Sequence, residues 1–210
     1  AEEQYCSPPA YWKAQSTFPI EDFDVSFLGS RYANEDAFSR SVPRHDGELR
    51  DEIVRRMRAA FGKRFGLFGH GWGQVNVVEQ TVELGRAHEV YWRSKIGLSI
   101  SLDQKLECYT SDRLFRIMGC GALLLVKRFP GMDVLGLKHG ENCVVFDTVD
   151  EAVQLALKYA PGPHDHSVVG DVHDRHEAER QCIAEAGAKL AREHHTWSVR
   201  MKELQPYLDA

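Results

Sequence analysis

Short apolar segments alternate along the chain with longer amphipathic ones. The apolar segments consist largely of Val, Ile, Leu and Phe, and their lengths suit β-strands. They are Val25–Leu28, Phe65–Phe68, Ile96–Ser99, Ala122–Val126 and Val144–Phe146. Continuous apolar runs are typical of strands that helices cover on both faces. The alternation therefore predicts an α/β fold, a Rossmann-like three-layer domain with a mostly parallel sheet.

The amphipathic segments predict the helices. In the first, residues 46–60, an apolar stripe comprises Leu49, Ile53, Met57 and Ala60, and we expect Arg50, Arg55, Arg56 and Arg58 to lie on a solvated face. Further helices are predicted over residues 89–93, 111–118, 132–137, 150–159 and 173–193, with Thr196 capping or bending the start of a last one through Tyr207.

This pattern divides the 210 residues into an N-terminal arm or interdomain segment (1–23), a Rossmann-like domain (24–195) and a C-terminal helix (196–210). We expect Tyr11, Trp12 and Trp197 to be buried or to lie at a domain boundary, because aromatic side chains in polar ends need a surface to pack on. The chain opens on Ala1-Glu2-Glu3 without Met, which we interpret as a processed or trimmed start, or a piece of a longer protein.

Composition narrows the class of protein. A hydrophobic content of 43% is enough for one sizeable core, and a net charge of −5 gives no general nucleic-acid-binding surface. The five scattered cysteines suit reduced thiols in the cytoplasm. No apolar run approaches the roughly 20 residues that span a bilayer. We therefore expect a cytoplasmic protein without a membrane span.

The start of the predicted helix at Ser111 is a candidate anion site. Backbone N–H groups point outward at a helix N-terminus, and Arg113 beside it can bind a phosphate through two hydrogen bonds. A structural alternative is equally simple: Ser111 caps the helix and Arg113 pairs with a carboxylate. The sequence leaves both open.

Two further segments admit both a structural and a binding role. The glycine-rich run 69–73 is not a dinucleotide fingerprint, because Gln74 or Asn76 stands where a third glycine is needed. Within it, Gly71 and Trp72 could form a plain turn or contact a base or sugar. Lys95 precedes a buried strand, so its ammonium group could reach a cleft or lie at the surface.

Other chemistries receive little support. Six histidines fall late in the chain, but a metal site needs three or four converging ligands, and these lie in or next to a polar segment; we expect none. They are His164, His166, His173, His176, His194 and His195. A serine hydrolase is also disfavoured, because no Gly-x-Ser-x-Gly elbow is present.

The run Ser111-Asp112-Arg113-Leu114-Phe115-Arg116-Ile117-Met118-Gly119-Cys120-Gly121-Ala122 resembles the donor-domain signature of group 1-type glycosyltransferases. It is most similar to the branch that includes CgeB-like spore-maturation proteins. The resemblance covers about residues 24–208. It extends to Gly29-Ser30, Gly71-Trp72, Tyr91-x-x-Ser94-Lys95-Ile96, Phe129-Pro130-Gly131-Met132, Gly140-Glu141-Asn142, Asp147 and His195-Thr196-Trp197-Ser198-Val199-Arg200.

The resemblance implies the C-terminal, donor-binding half of a GT-B glycosyltransferase, a hexosyl- or pentosyltransferase that uses a nucleotide sugar. Arg113 and Lys95 would stabilise the leaving diphosphate, with no metal or other cofactor, and the unknown acceptor would bind mainly to the other domain. The implied donor-binding residues are Gly29, Ser30, Gly71, Trp72, Ser111, Arg113, Phe115 and Gly131.

Arg116 departs from the family pattern. Many relatives have Glu there, and it binds the donor ribose, whereas an Arg side chain cannot accept hydrogen bonds. The ribose ligand is therefore left open. A second hypothesis also stands: a stand-alone Rossmann-like module that binds a nucleotide or a protein partner without turnover.

Overall fold

The computed structural model describes residues 23–31, 47–73, 82, 84–161 and 171–209. Its five strands form one sheet with every neighbouring pair parallel, in the order β2-β1-β3-β4-β5. The strands are β1 (Phe23–Leu28), β2 (Phe65–Phe68), β3 (Ser94–Ser99), β4 (Leu123–Lys127) and β5 (Val144–Phe146). The predicted Rossmann-like α/β fold is confirmed.

Six helices are described beside the sheet. They are α1 (Gly47–Phe61), α2 (Ala87–Trp92), α3 (Arg113–Gly119), α4 (Val149–Tyr159), α5 (Asp171–His194) and α6 (Trp197–Leu208), with 3₁₀ turns at Gly62–Arg64 and Leu84–Arg86. The prediction of a helix over residues 132–137 is wrong, because the chain forms a series of turns there. Gly131, just before this range, and Gly136, within it, have φ of +82° and +69°, which residues of an α-helix do not adopt.

Threonine side chains define two helix starts. Thr148 Oγ1 accepts a hydrogen bond from the Glu151 amide at 3.2 Å, and Thr196 Oγ1 accepts one from the Val199 amide at 3.3 Å. Both satisfy an amide that has no partner within the helix. The cap predicted at Thr196 is confirmed.

The two faces of the sheet have separate hydrophobic cores. On one face, Val25 and Phe27 of β1 pack with Ile53 and Met57 of α1. On the other, Leu124 of β4 packs in a cluster that includes Leu114 and Ile117 of α3. Burying one such side chain contributes about 1.5–3 kcal/mol, so these faces fix α1 and α3 on opposite sides of the sheet.

The strand order creates a crevice. From β1 the chain crosses to β2 on one side, and it later returns to β3 on the other side of β1. Helices α1 and α3 therefore diverge at the carboxyl ends of β1 and β3. In open parallel sheets this switch point is where ligands bind.

Candidate functional site

Arg113 lies at the switch point, between β1 and the end of β3. Its Nη1 donates a hydrogen bond to the carbonyl oxygen of Ile100, just after β3, at 3.1 Å. Its guanidinium carbon lies 5.0 Å from the centroid of the Phe27 ring in β1. The Ser111 hydroxyl accepts a hydrogen bond from the Arg113 amide at 3.2 Å, so Ser111 holds the start of α3. With seven residues, α3 is a short helix, and its dipole is correspondingly small.

Arg50 of α1 reaches the same place from the other face. Its Nη2 donates to Ile100 O at 2.7 Å and its Nη1 to Ser30 O at 3.2 Å. The residue is only 3% exposed, so the expectation of a solvated Arg50 is wrong. Arg50 lies one turn before the buried Val54, on the face of α1 that also bears Phe61.

Two positive charges are thus concentrated at the crevice. Both guanidinium groups donate to one oxygen, so the donating nitrogens are no more than about 6 Å apart. At an effective dielectric constant of about 20, two unit charges at that distance repel by about 3 kcal/mol. The carbonyl of Ile100 orients both groups. An anion bound here would interact favourably with both.

The loop after β1 forms the floor of the crevice. A Cβ atom at Gly29 would lie 3.0 Å from Arg113 Nη2, so glycine permits the close approach of the guanidinium group. The resemblance makes Gly29 a donor-binding residue, but its amide donates to Phe68 O at 2.8 Å and is therefore not available to a ligand. Ser30 Oγ accepts a long hydrogen bond from the His70 amide at 3.4 Å.

A bidentate ion pair fastens this loop to α1. Arg31 donates to both carboxylate oxygens of Asp51, at 2.6 to 2.9 Å. Donating these hydrogen bonds to the Asp51 carboxylate raises the pKa of Arg31 above its usual value. The loop is therefore held by two arginine contacts, since Arg50 binds the Ser30 carbonyl as well.

The glycine-rich run supports the loop from beneath. Trp72 is fully buried, its indole N–H donates to Gly29 O at 2.7 Å, and its ring meets Phe27 edge to face. A base or sugar cannot reach it, so the expectation of a ligand contact at Trp72 is wrong. Gly71 has φ of +86°, and a Cβ atom there would lie 2.7 Å from Arg31 O. Its role in this structure is to let two loops approach.

Lys95 lies at the opposite end of the sheet. It is the second residue of β3, and its Nζ pairs with Asp24 Oδ1 at 3.3 Å. Arg64 pairs with the same carboxylate, and Arg180 donates to Lys95 O at 3.3 Å. The expectation that Lys95 shares a cleft with Arg113 is wrong, because the strand begins at Ser94, before the lysine.

A cavity of about 330 Å³ adjoins the start of α3 on the side of α5 and α6. Phe115, an expected donor-binding residue, forms one wall, and its ring stacks on His195 with centroids 4.1 Å apart. The lining residues are Thr110, Ser111, Asp112, Phe115, Arg116, Gly119, Ala191, Arg192, His195, Thr196, Trp197 and Arg200. Trp197 is 78% exposed at this cavity, so it is not buried within this chain, and its place at a domain boundary stays a prediction. Tyr11 and Trp12 lie outside the described residues.

His195 is fixed by contacts on both ring nitrogens. Arg200 donates to Nδ1 at 2.7 Å, so the proton is on Nε2, which donates to Leu135 O at 3.0 Å. Burial lowers the pKa of His195, and the charge of Arg200 lowers it further. The imidazole is therefore a neutral wall of the cavity. The sequence alone does not predict this role, because only the folded chain brings residues 115 and 195 together.

Gly131 supports the approach to α3. A Cβ atom there would overlap the Cys108 sulfur, and the Cys108 amide donates to Pro130 O at 2.9 Å. Cys108 and Cys182 are exposed, whereas Cys120 and Cys143 are buried. The contacts with Cys108 place Gly131 against the loop that leads into the site.

Within the described part of the chain, no group of three or more His, Cys, Asp or Glu side chains is arranged to hold a metal ion. His164 and His166 lie outside that part. The described helices include none that is both long and apolar enough to cross a membrane.

The fold is a Rossmann-like domain, and two arginines, Arg50 and Arg113, lie at its switch point. The family of glycosyl transferase-like proteins matches residues 40–205, so the chain belongs to that family. No curated protein matches the chain by sequence.

Solved GT-B glycosyltransferases share the fold. Sucrose-phosphate synthase from Thermosynechococcus elongatus is 14% identical with a TM-score of 0.57, covering 98% of this chain and 50% of its own. Anabaena HepE, in complex with UDP and glucose, is 10% identical with a TM-score of 0.64, covering 100% of this chain and 54% of its own. This chain thus spans about half the length of both.

A third similar structure is itself a single domain. The C-terminal domain of the group 1 glycosyl transferase LpcC from Francisella tularensis is 12% identical with a TM-score of 0.54. The match covers 94% of this chain and 99% of that one.

Proposed function

We propose that this chain is the donor-binding domain of a glycosyltransferase of the CgeB-like branch, and that it binds a nucleotide sugar. The observation on which the proposal rests is the pair Arg50 and Arg113 at the switch point, both oriented by the Ile100 carbonyl. Family membership and the UDP bound to HepE support it. The acceptor would bind mainly to the part of the enzyme beyond this domain.

The chemistry follows from the position of Arg113. As the bond between the sugar and the phosphate oxygen breaks, negative charge develops on the leaving diphosphate. An arginine keeps its charge at any working pH and can make two parallel hydrogen bonds to a phosphate. Arg113 would therefore stabilise the leaving group, with Arg50 adding positive potential from beneath. Lys95 has no part in this proposal, because it lies at the other end of the sheet.

The remaining donor-binding residues divide by location. Gly29 and Ser111 border Arg113, and the Ser30 carbonyl binds Arg50, so we assign the three to the phosphate end of the site, with Gly29 leaving room for the guanidinium group. Phe115 lines the cavity, so we assign it to the nucleoside or the sugar. Gly71, Trp72 and Gly131 shape the surrounding loops.

Calorimetric titration of ADP, GDP, CDP and UDP tests the proposal. We expect at least one of these nucleotides to bind. Arg113→Ala should weaken its binding by about 1.5–3 kcal/mol, the usual range for a charged hydrogen bond. The matched control is Lys95→Ala, which removes a positive charge at the opposite end of the sheet and should leave affinity unchanged. Equal losses in the two variants would contradict the assignment of Arg113.

Turnover separates the enzyme from a module that only binds. Release of a nucleoside diphosphate from a nucleotide sugar, assayed with the full-length protein, supports a glycosyltransferase. Binding of nucleotide sugars without release, in the presence of a panel of sugar and lipid acceptors, would favour the stand-alone module.

A further inference from the structure

The cavity beside α3 contains one carboxylate among the described residues that line it, that of Asp112. Three arginines also line it: Arg116, Arg192 and Arg200. Guanidinium groups only donate hydrogen bonds, so Asp112 is the charged acceptor of this cavity. A ligand hydroxyl in the cavity could donate to Asp112 and accept from an arginine.

Asp112 is oriented but accessible. Its Oδ2 forms a salt bridge with Arg116 Nη2 at 2.8 Å. The Asp112 side chain is 64% exposed, against 24% for Arg116. A carboxylate has about four acceptor positions, so the pairing leaves most of its capacity facing solvent.

The combination fits a sugar ring. Adjacent ring hydroxyls donate to the two oxygens of a carboxylate, and the C–H faces of a sugar pack on aromatic rings such as Phe115 and Trp197. A purely anionic ligand would be attracted by the arginines but repelled by Asp112. A purely apolar ligand would leave the charged groups desolvated and unsatisfied.

We infer that Asp112 accepts hydrogen bonds from the vicinal hydroxyls of a sugar ring in this cavity, and that Arg116 is the positioning residue that holds the carboxylate. The inference rests on the proposed function, because the adjacent Arg113 is the proposed phosphate ligand and one nucleotide would contact both. The hydroxyls belong either to the ribose or to the transferred sugar.

Calorimetry with matched nucleotides distinguishes these sources. The probes are ADP, GDP, CDP and UDP, their 2′,3′-dideoxy counterparts, and the corresponding nucleotide glucoses. Asp112→Asn removes a negative charge near the phosphates, so it should strengthen the binding of every probe to a similar degree. The readout is therefore the ratio of two probe affinities within each variant. We expect the wild-type protein to prefer the hydroxylated probe by about ten-fold or more, and Asp112→Asn to lose that preference.

The pattern of loss identifies the ring. Loss of the preference for ribose over dideoxyribose assigns Asp112 to the ribose. Loss of the preference for the nucleotide glucose over the diphosphate assigns it to the transferred sugar. Both ratios unchanged in Asp112→Asn would overturn the inference, while the effect of Arg113→Ala would leave the proposed function standing. Failure of the wild-type protein to bind any probe would overturn both.

Two further variants complete the design. Asp150→Asn is the matched control, because Asp150 also lies at the start of a helix, is 69% exposed and pairs with an arginine, Arg56, but does not line the cavity. It should leave every ratio unchanged. Arg116→Gln should reduce the hydroxyl preference and Arg116→Lys should retain it. A full preference in Arg116→Gln would overturn the positioning role.

Discussion

The two ends of the sheet both gather basic side chains, but they do so with different acceptors. At the amino end, Lys95 and Arg64 pair with the buried carboxylate of Asp24. At the carboxyl end, Arg50 and Arg113 donate to the neutral carbonyl of Ile100. A carboxylate orients a cation and offsets its charge, whereas a carbonyl only orients it. The first arrangement ties β1, β3 and the residue before β2 together, and the second holds two guanidinium groups at the crevice where ligands of parallel sheets bind.

This comparison shows that a basic residue cannot be assigned to a site by its type alone. Lys95 and Arg113 both adjoin buried elements and both match the family pattern. Their different environments follow from the direction of the parallel strands, because Lys95 is at the beginning of β3 and Ile100 follows its end. About five residues of strand, roughly 16 Å, separate the two ends.

The largest loss of stability is expected on removing the Trp72 side chain, which supports the loop at the carboxyl end of the sheet. Trp72→Ala should lower the free energy of unfolding by about 3–5 kcal/mol, because it empties a fully buried site and removes the hydrogen bond to Gly29 O. Chemical denaturation monitored by circular dichroism measures this loss.

Trp72→Phe is the control for this prediction. It keeps an aromatic ring against Phe27 but removes the indole N–H, so the loss should be clearly smaller than for alanine. A small loss with Trp72→Ala would mean that Trp72 is not the core residue described above, and the loop after β1 would need another support.

The sequence predicted the sheet well because each strand is a short, continuous apolar run covered on both faces. It failed where local chemistry gave no signal. Glycines with positive φ replaced the helix expected over residues 132–137 by turns. Arg50 was placed in solvent because the apolar stripe was drawn through Leu49 and Ala60, whereas the buried face passes through Val54 and Phe61.

A smaller effect is expected at the amino end. Asp24→Asn should lower the free energy of unfolding by about 1–2 kcal/mol, because it removes the charge that pairs with Lys95 and Arg64 while both remain partly solvated. Nucleoside diphosphate affinity should not change. The two measurements are denaturation and calorimetry on the same preparation.

An exposed ion pair provides the reference for Asp24. Asp147 and Arg128 pair at 2.8 Å with both side chains about half exposed, so Asp147→Asn should cost no more than about 0.5 kcal/mol. If Asp24→Asn instead weakened nucleotide binding, the functional separation of the two ends would be lost.

The sequence predicted only those residues of the candidate site that are close together along the chain. A motif identified Arg113, Ser111 and Phe115, because they are close in sequence. The opposite walls of the crevice and the cavity come from distant segments, as with Ile100 against Arg50 and His195 against Phe115. No spacing rule predicts such contacts, which depend on how the helices pack.

The smallest expected effect concerns His195, beyond the carboxyl end of the sheet. Its pKa is lower in the folded chain than the ordinary value of about 6.5, because burial and Arg200 disfavour the imidazolium. Between these two pKa values the unfolded chain binds more protons than the folded one. The contribution of His195 to stability is therefore complete above about pH 6.5 and is lost as the pH falls towards the folded-state pKa.

Thermal unfolding of the wild-type protein and of His195→Gln, compared between about pH 7.5 and about pH 5.5, isolates this contribution. Burial also lowers the pKa of His88, so both proteins should lose stability on acidification. The wild-type protein should lose more, because glutamine does not titrate. Parallel curves would show that His195 protonates as easily in the folded chain as in the unfolded one. In that case the hydrogen bond from Arg200 to Nδ1, which requires a neutral imidazole, would not persist in solution, and the cavity wall at Phe115 would lose its fixed partner.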